Sequence, residues 1–209
     1  MFDDRTDAGE RLAAELRRRD VEADVVLGIP RGALPVARPV ADALDAEFDV
    51  VVASKIGAPG NPELAIGAVA SDGSVWLNDR LVERLGVSEE YVERERRAEA
   101  EYAADKARRY RDRGKIPDLE GQRAVVVDDG LATGATARAC LRQVREAGAA
   151  RVVLALPVAS PESLEEVRAE ADEVIALQTP VNFRAVGQFY REFGQVADEE
   201  AIRYLQDEG

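Results

Sequence analysis

Two adjacent acids, Asp128 and Asp129, follow the β-branched run Val125-Val126-Val127 and precede Gly130-Leu131-Ala132-Thr133-Gly134-Ala135-Thr136. The apolar run reads as a buried strand, and the Gly/Thr stretch as a loop that opens a helical pattern. Carboxylates at the carboxyl end of a strand can accept hydrogen bonds from vicinal ribose hydroxyls. Loop amides and threonine hydroxyls at a helix N-terminus can hold a phosphate dianion. The pattern predicts a sugar-phosphate site, because an ordinary strand, turn and helix gives no reason for two acids at the mouth of a buried strand.

Composition removes several other chemistries. The chain has no histidine, which excludes the usual Ser-His and Cys-His nucleophile systems and most zinc sites. A lone Cys140 in a helical pattern supports no disulfide framework and reads as a small buried hydrophobe. The net charge of −13 disfavours generic binding to duplex nucleic acid. Arginine carries nearly all the positive charge, since the lysines are Lys55, Lys106 and Lys115. So acidic and lysine-poor a composition predicts adaptation to high salt, as in a halophilic microbe. No run approaches the roughly 18 apolar residues of a membrane span, and Met1-Phe2-Asp3-Asp4-Arg5 lacks the regions of a signal peptide. The expectation is a cytoplasmic protein with neither a membrane nor a nucleic-acid partner.

The elements that must position the acids can be read from periodicity. Gly9 to Arg18 has helical spacing, Asp24 to Gly28 reads as a strand, and Ile29 to Ala33 as a glycine-containing loop. A helix follows from about Leu34 to Leu44, with Pro35 in its first turn and Pro39 marking a kink or a late start. Asp49 to Ala53 reads as a second buried strand, and Ala65 to Ala70 with Val75 to Leu77 as an inserted hairpin. Ser88 to Arg113 predicts one long solvated helix, supported by Glu90/Arg94 and Glu93/Arg97 pairs, lying on the body of the chain or against a second subunit in a homodimer. The parallel pattern resumes with a strand at Arg123 to Val127, a helix at Thr136 to Ala147 ended by Gly148, and strands at Arg151 to Val158 and Glu173 to Leu177. Ser160 and Pro161 start the helix between those strands, and an aromatic tail, Phe183 to Phe193, leads to a short helix that Asp198 can cap. The fold class expected is α/β: an open, mainly parallel sheet flanked by helices, in a single domain over residues 1–209. An insertion covers about 54–115 and a C-terminal hood about 179–209. Ligands of such sheets bind beyond the carboxyl ends of strands, so Gly28–Ala33, Ala53–Gly57 and Asp128–Thr136 can converge on one cleft.

The order of parts at Val125 to Thr136 resembles the phosphoribosyl-diphosphate (PRPP) motif of type I phosphoribosyltransferases: apolar residues, two acids, then a loop ending Thr-Gly-x-Thr. Gly28-Ile29-Pro30-Arg31-Gly32-Ala33 looks like the pyrophosphate loop of the same family. Glycine permits close approach there, and Arg31 offers planar charge-assisted donors to phosphate oxygens. The resemblance implies that Asp128 through Thr136 bind PRPP, with Asp128 and Asp129 also holding Mg²⁺ directly or through water. It implies that Pro30, Arg31, Gly32 and Lys55 meet pyrophosphate, Lys55 standing where the family often places a basic residue. Asp128, Asp129, Arg31 and Lys55 are the catalytic residues it implies. Gly57 to Glu63 is similar to the start of the family's mobile catalytic loop. The implied reaction passes the phosphoribosyl group, through an oxocarbenium-like C1, to a nitrogenous base or related small acceptor with release of pyrophosphate. Ala132 stands where some purine-specific members carry an acid, so that proton-transfer role does not carry over. Leu131-Ala132-Thr133-Gly134 looks like adenine-type members without matching them enough to assign adenine. The long helix and the tail look more like a branch of uncharacterised phosphoribosyltransferases. In a hood over the acceptor, Phe183, Phe189 or Tyr190 could stack on a planar ring, and packing of the tail is the competing role of each. The alternatives are a PRPP- or nucleotide-sensing protein without turnover and a PRPP-cleaving hydrolase.

Overall fold

In the computed structural model, residues 1–111 and 116–206 are described. Helix α1 (Arg5–Arg18) starts about a turn before its apolar pattern, because Asp4 caps it by accepting a hydrogen bond from the Asp7 amide at 2.8 Å. The chain then runs through β1 (Val25–Gly28), α2 (Leu34–Leu44) and β2 (Glu47–Val50). An insertion follows: β3 (Ala53–Ala58), β4 (Asn61–Ala70), β5 (Val75–Leu77), α3 (Asp79–Leu85) and α4 (Glu89–Tyr110). The core resumes with β6 (Arg123–Val127), α5 (Ala135–Glu146), β7 (Arg151–Val158), α6 (Pro161–Val167) and β8 (Glu173–Gln178), and the tail ends in α7 (Asp198–Gln206). Pro39 lies inside α2, Ser160 caps α6, and Gly148 takes a φ of 88° just past α5.

Five parallel strands in the order β2-β1-β6-β7-β8 form the main sheet. Alternation along β6 explains its unbroken valines. Val126 joins the apolar cluster on the α5 face, while Val125 and Val127 join Leu12, Leu16 and Val36 on the face covered by α1 and α2. A parallel sheet covered on both faces needs such continuously apolar strands. The register places Gly28 of β1 beside Val127 of β6, and the Ile29 amide donates to the Val127 carbonyl at 3.0 Å. The loop after β1 and the acids after β6 thus leave the sheet side by side.

The second strand differs from expectation. Regular pairing ends at Val50, and the Val51 amide makes a last bond to the Gly28 carbonyl at 3.1 Å. Val51 and Val52 stay buried while the chain passes into a separate antiparallel sheet, β3-β4-β5. No Gly or Pro marks that change within Val50-Val51-Val52-Ala53, so the sequence pattern merges the two strands. The segment that resembles the start of a catalytic loop, Gly57 to Glu63, forms the tight β3–β4 turn, with Ala58 paired to Asn61 and Gly60 at a φ of 73°.

Ser88 caps α4 as expected. The helix is polar and lies on the body of its own chain, one of the two placements expected: Ala103 and Ala107 are fully buried, the Tyr91 hydroxyl donates to the Gly57 carbonyl, and Arg111 pairs with Asp49 at 2.5 Å. Two alanines suffice because small side chains allow close approach, which a search for a broad apolar stripe misses. The expected helix end at Arg113, Lys115 and the last three residues of the chain lie outside the described residues. Among the described residues no helix is long and apolar enough to cross a membrane.

Candidate functional site

Asp128 and Asp129 stand at the mouth of β6. The Asp129 amide donates to the Asp128 carboxylate at 2.9 Å, which fixes the orientation of that carboxylate at the strand end. Burial raises the pKa of Asp128 well above the carboxylate range, and the adjacent Asp129 charge raises it further; Lys106 and Arg5 oppose both effects. Asp129 is also raised by burial, against the pull of Arg5. Arg5 approaches from the first turn of α1, its Nε 2.9 Å from Asp129 Oδ2. The same guanidinium donates to the Gly194 carbonyl and lies 3.9 Å from the centre of the Phe193 ring.

The loop after β1 closes against these acids. A Cβ on Gly32 would collide with the Asp129 carboxylate, so a larger residue there would displace that carboxylate. The Pro30–Arg31 peptide is cis. Lys106 of α4 donates to the Pro30 carbonyl at 2.8 Å. Arg31 reaches Asp198 at 3.5 Å, a residue also approached by Arg109 at 3.4 Å and by the Tyr110 hydroxyl at 3.2 Å. Asp198 is the first residue of α7 and meets these groups, whereas the sequence suggested a capping role.

Beyond the acids the loop is pinned to the sheet. Leu131 is buried, its amide donating to the Val158 carbonyl at 2.9 Å and its carbonyl accepting from the Ser160 amide at 3.0 Å. The Ala132 carbonyl takes the Ser163 hydroxyl. Gly134 adopts a left-handed φ of 74° at the N-cap of α5 and supplies no side-chain cap. First-turn amides of α5 therefore have no side-chain acceptor, beside an exposed Thr133 and a half-buried Thr136.

Two sequence-derived residues fall elsewhere. Lys55 is part of β3, and its ammonium meets Glu63 across the hairpin at 3.2 Å, not the loop after β1. Tyr190 is 5% exposed and donates its hydroxyl to the Asp129 carbonyl at 2.6 Å, so it holds the tail to the strand end and has no free ring face to offer. Phe183 and Phe189 stack on each other at 5.5 Å, both half-buried. Phe183 also walls a cavity of about 430 Å³ together with Ala132, Thr133, Leu64 and Trp76. Arg5 and Lys106 are the residues that sequence reasoning missed. The Asp4-to-Asp7 cap pattern could have revealed the early start of α1, and the scarcity of lysine could have flagged Lys106.

The sequence profile of the phosphoribosyl transferase domain matches residues 3–193. Two Mycobacterium tuberculosis proteins, each named "Putative phosphoribosyl transferase", from strains CDC 1551 / Oshkosh and ATCC 25618 / H37Rv, are 47% identical over 208 residues. The match takes in 98% of this chain and 46% of each relative, so the chain spans about half their length. The crystal structure of TT1426 from Thermus thermophilus superposes with a TM-score of 0.80 at 44% identity, covering 98% of this chain and 97% of that one. With paired acids, a glycine loop against them and a helix N-terminus behind, the chain belongs to the phosphoribosyl transferase domain family.

Proposed function

We propose that the chain is a Mg²⁺-dependent phosphoribosyltransferase that moves the 5-phosphoribosyl group from PRPP to a nitrogenous base or related small acceptor and releases pyrophosphate. The observation that carries this reading is the packing of Gly32 directly against Asp129, which joins an anion-binding loop to a pair of sugar-binding acids. Asp128 and Asp129 would accept hydrogen bonds from the ribose hydroxyls. Amides from Ala132 to Thr136, with the two threonine hydroxyls, would take the 5-phosphate at the head of α5. Arg31 and the amides beside it would face the diphosphate as negative charge develops on it.

The donor set fits a hard divalent ion. One Asp128 oxygen accepts from the Asp129 amide, and the other has no hydrogen-bond partner among the described residues. The described residues contain no group of three or more metal-ligating side chains. A Mg²⁺ ion usually keeps several waters and shares its shell between one or two carboxylates and substrate phosphates, which two acids can satisfy. When bound there, it would neutralise charge on the departing diphosphate. The protein's own part is positioning and electrostatic stabilisation, for which no histidine is required. For the acceptor, the stacked Phe183 and Phe189 beside the cavity at Ala132 and Thr133 are our candidates for contact with a planar ring.

Calorimetry with PRPP and Mg²⁺ tests the site. Hydrogen bonds to ionised groups contribute about 1.5–3 kcal/mol each, so Asp128→Asn with Asp129→Asn should weaken binding by roughly a hundredfold or more. Unchanged affinity in the folded double variant would remove the acids from the site. A panel of bases, followed by pyrophosphate release, then identifies the acceptor. PRPP binding without turnover on any base would favour a sensing role.

A further inference from the structure

We propose that Lys106, carried by the inserted helix α4, is a diphosphate-binding residue of the phosphoribosyl site; this rests on the phosphoribosyltransferase reading above. Its position on α4 is the first argument. Ala103 and Ala107, three residues before and one after, are both fully buried, so Lys106 projects from the face of the helix that lies on the body of the chain. A lysine on such a face carries a desolvation cost, and burial lowers the pKa of this ammonium below the ordinary lysine value. A residue placed at such cost needs an anion or acceptors.

Its surroundings supply only part of that need. The ammonium donates to the Pro30 carbonyl at 2.8 Å, and among the described residues this is its one hydrogen-bond partner. Three donors are available on an ammonium. The charged groups around it are Arg31, Asp198 and Asp128. Asp198 is already met by Arg31, Arg109 and Tyr110, and the nearby Cys140 thiol is pushed by burial well above its ordinary pKa and stays neutral. Two donors are thus left beside the loop that carries Arg31 and that touches Asp129 through Gly32. A ligand held by its ribose hydroxyls at the acids and by its diphosphate at this loop brings phosphate oxygens to them. Lys55, by contrast, is exposed and faces Glu63.

The assignment separates charge from packing. Lys106→Met keeps the length of the stem and deletes the ammonium, while Lys106→Gln keeps a donor for the Pro30 carbonyl without the charge. Calorimetric titration of each with pyrophosphate, PRPP and ribose 5-phosphate, all with Mg²⁺, gives the test. The result expected is a loss of about tenfold or more for pyrophosphate and PRPP, and little change for ribose 5-phosphate, in both variants. Wild-type affinities in a folded Lys106→Met or Lys106→Gln chain overturn the assignment, as does a parallel loss for ribose 5-phosphate, which would mark a packing role. Should Lys106→Met fail to fold, Lys106→Gln alone decides by the same criteria. A wild-type chain that binds neither PRPP nor pyrophosphate removes the phosphoribosyltransferase reading itself, and the role of Lys106 with it.

Discussion

Asp128 is held where ionisation is unfavourable, and that has a measurable cost to the fold. Its folded-state pKa is raised by burial and by Asp129, so the protonated form is the one the fold prefers. Stability from such a group is fully present below the unfolded value of about 3.9 and is lost as pH rises through the folded pKa. Raising the pH towards ionisation therefore works against folding. Asn keeps an acceptor for the Asp129 amide and removes the charge, so Asp128→Asn should be the more stable protein at high pH. Thermal melts should show a higher midpoint than the wild type at pH 8, by a margin that shrinks towards pH 4, together with weakened PRPP binding. A variant that melts lower than the wild type at pH 8 contradicts this account of the site. The acids themselves are legible in the sequence because no packing role explains them, whereas the shift in their titration comes from burial at the strand mouth, opposed by the cations that α1 and α4 bring in.

At the scale of elements, α1 belongs to the site through a single residue. Arg5 lies in a mostly polar first turn, where Ala8 alone is apolar, so the sequence pattern starts the helix at Gly9. The structure places its guanidinium on Asp129, both side chains being at most 16% exposed. Removing one partner of a buried ion pair leaves an uncompensated charge and costs about 3–5 kcal/mol. Arg5→Ala should accordingly lower the melting temperature by roughly 6–12 °C or more, the charge on Asp129 then lying beside Asp128 without relief. Adding Asp129→Asn should restore part of the loss, and melts of the two single variants and the double variant measure the coupling. Strictly additive losses would show that the pair is not a unit. Helix α4 teaches the complementary lesson. Its existence and capping were readable, since Ser88 and the charge spacing specify them, but its direction of packing depends on Ala103 and Ala107, small residues that are also common on solvated helix faces.

For the whole molecule, charge is the dominant property: 41 acidic residues face 28 basic ones, a net of −13. Many ion pairs, such as Arg18–Glu15 and Arg97–Glu93, involve exposed arginines, and exposed pairs contribute about 0–1 kcal/mol. Salt therefore removes little attraction when it screens the surface and weakens the repulsion among the excess carboxylates. We expect the melting temperature to rise between about 0.1 M and 3 M KCl. A flat or falling midpoint would reject adaptation to high salt.

The sequence by itself determined the parallel α/β core, the position of the acids at a strand end, and the glycine loop that follows β1. Each of these is written in local pattern: unbroken valines for a sheet covered on both faces, paired acids after them, glycines where a backbone must turn or approach closely. Only the tertiary structure decided which cations attend the acids. Arg5 and Lys106 come from segments 124 and 22 residues away from Asp129 and Asp128 along the chain, and no local pattern encodes which partner a charged side chain on a polar turn or helix will meet. The same reason moved Lys55 into the hairpin, where Glu63 is within reach. It also turned Tyr190 from a ring that could stack on a ligand into one buried between Phe2 and Phe193.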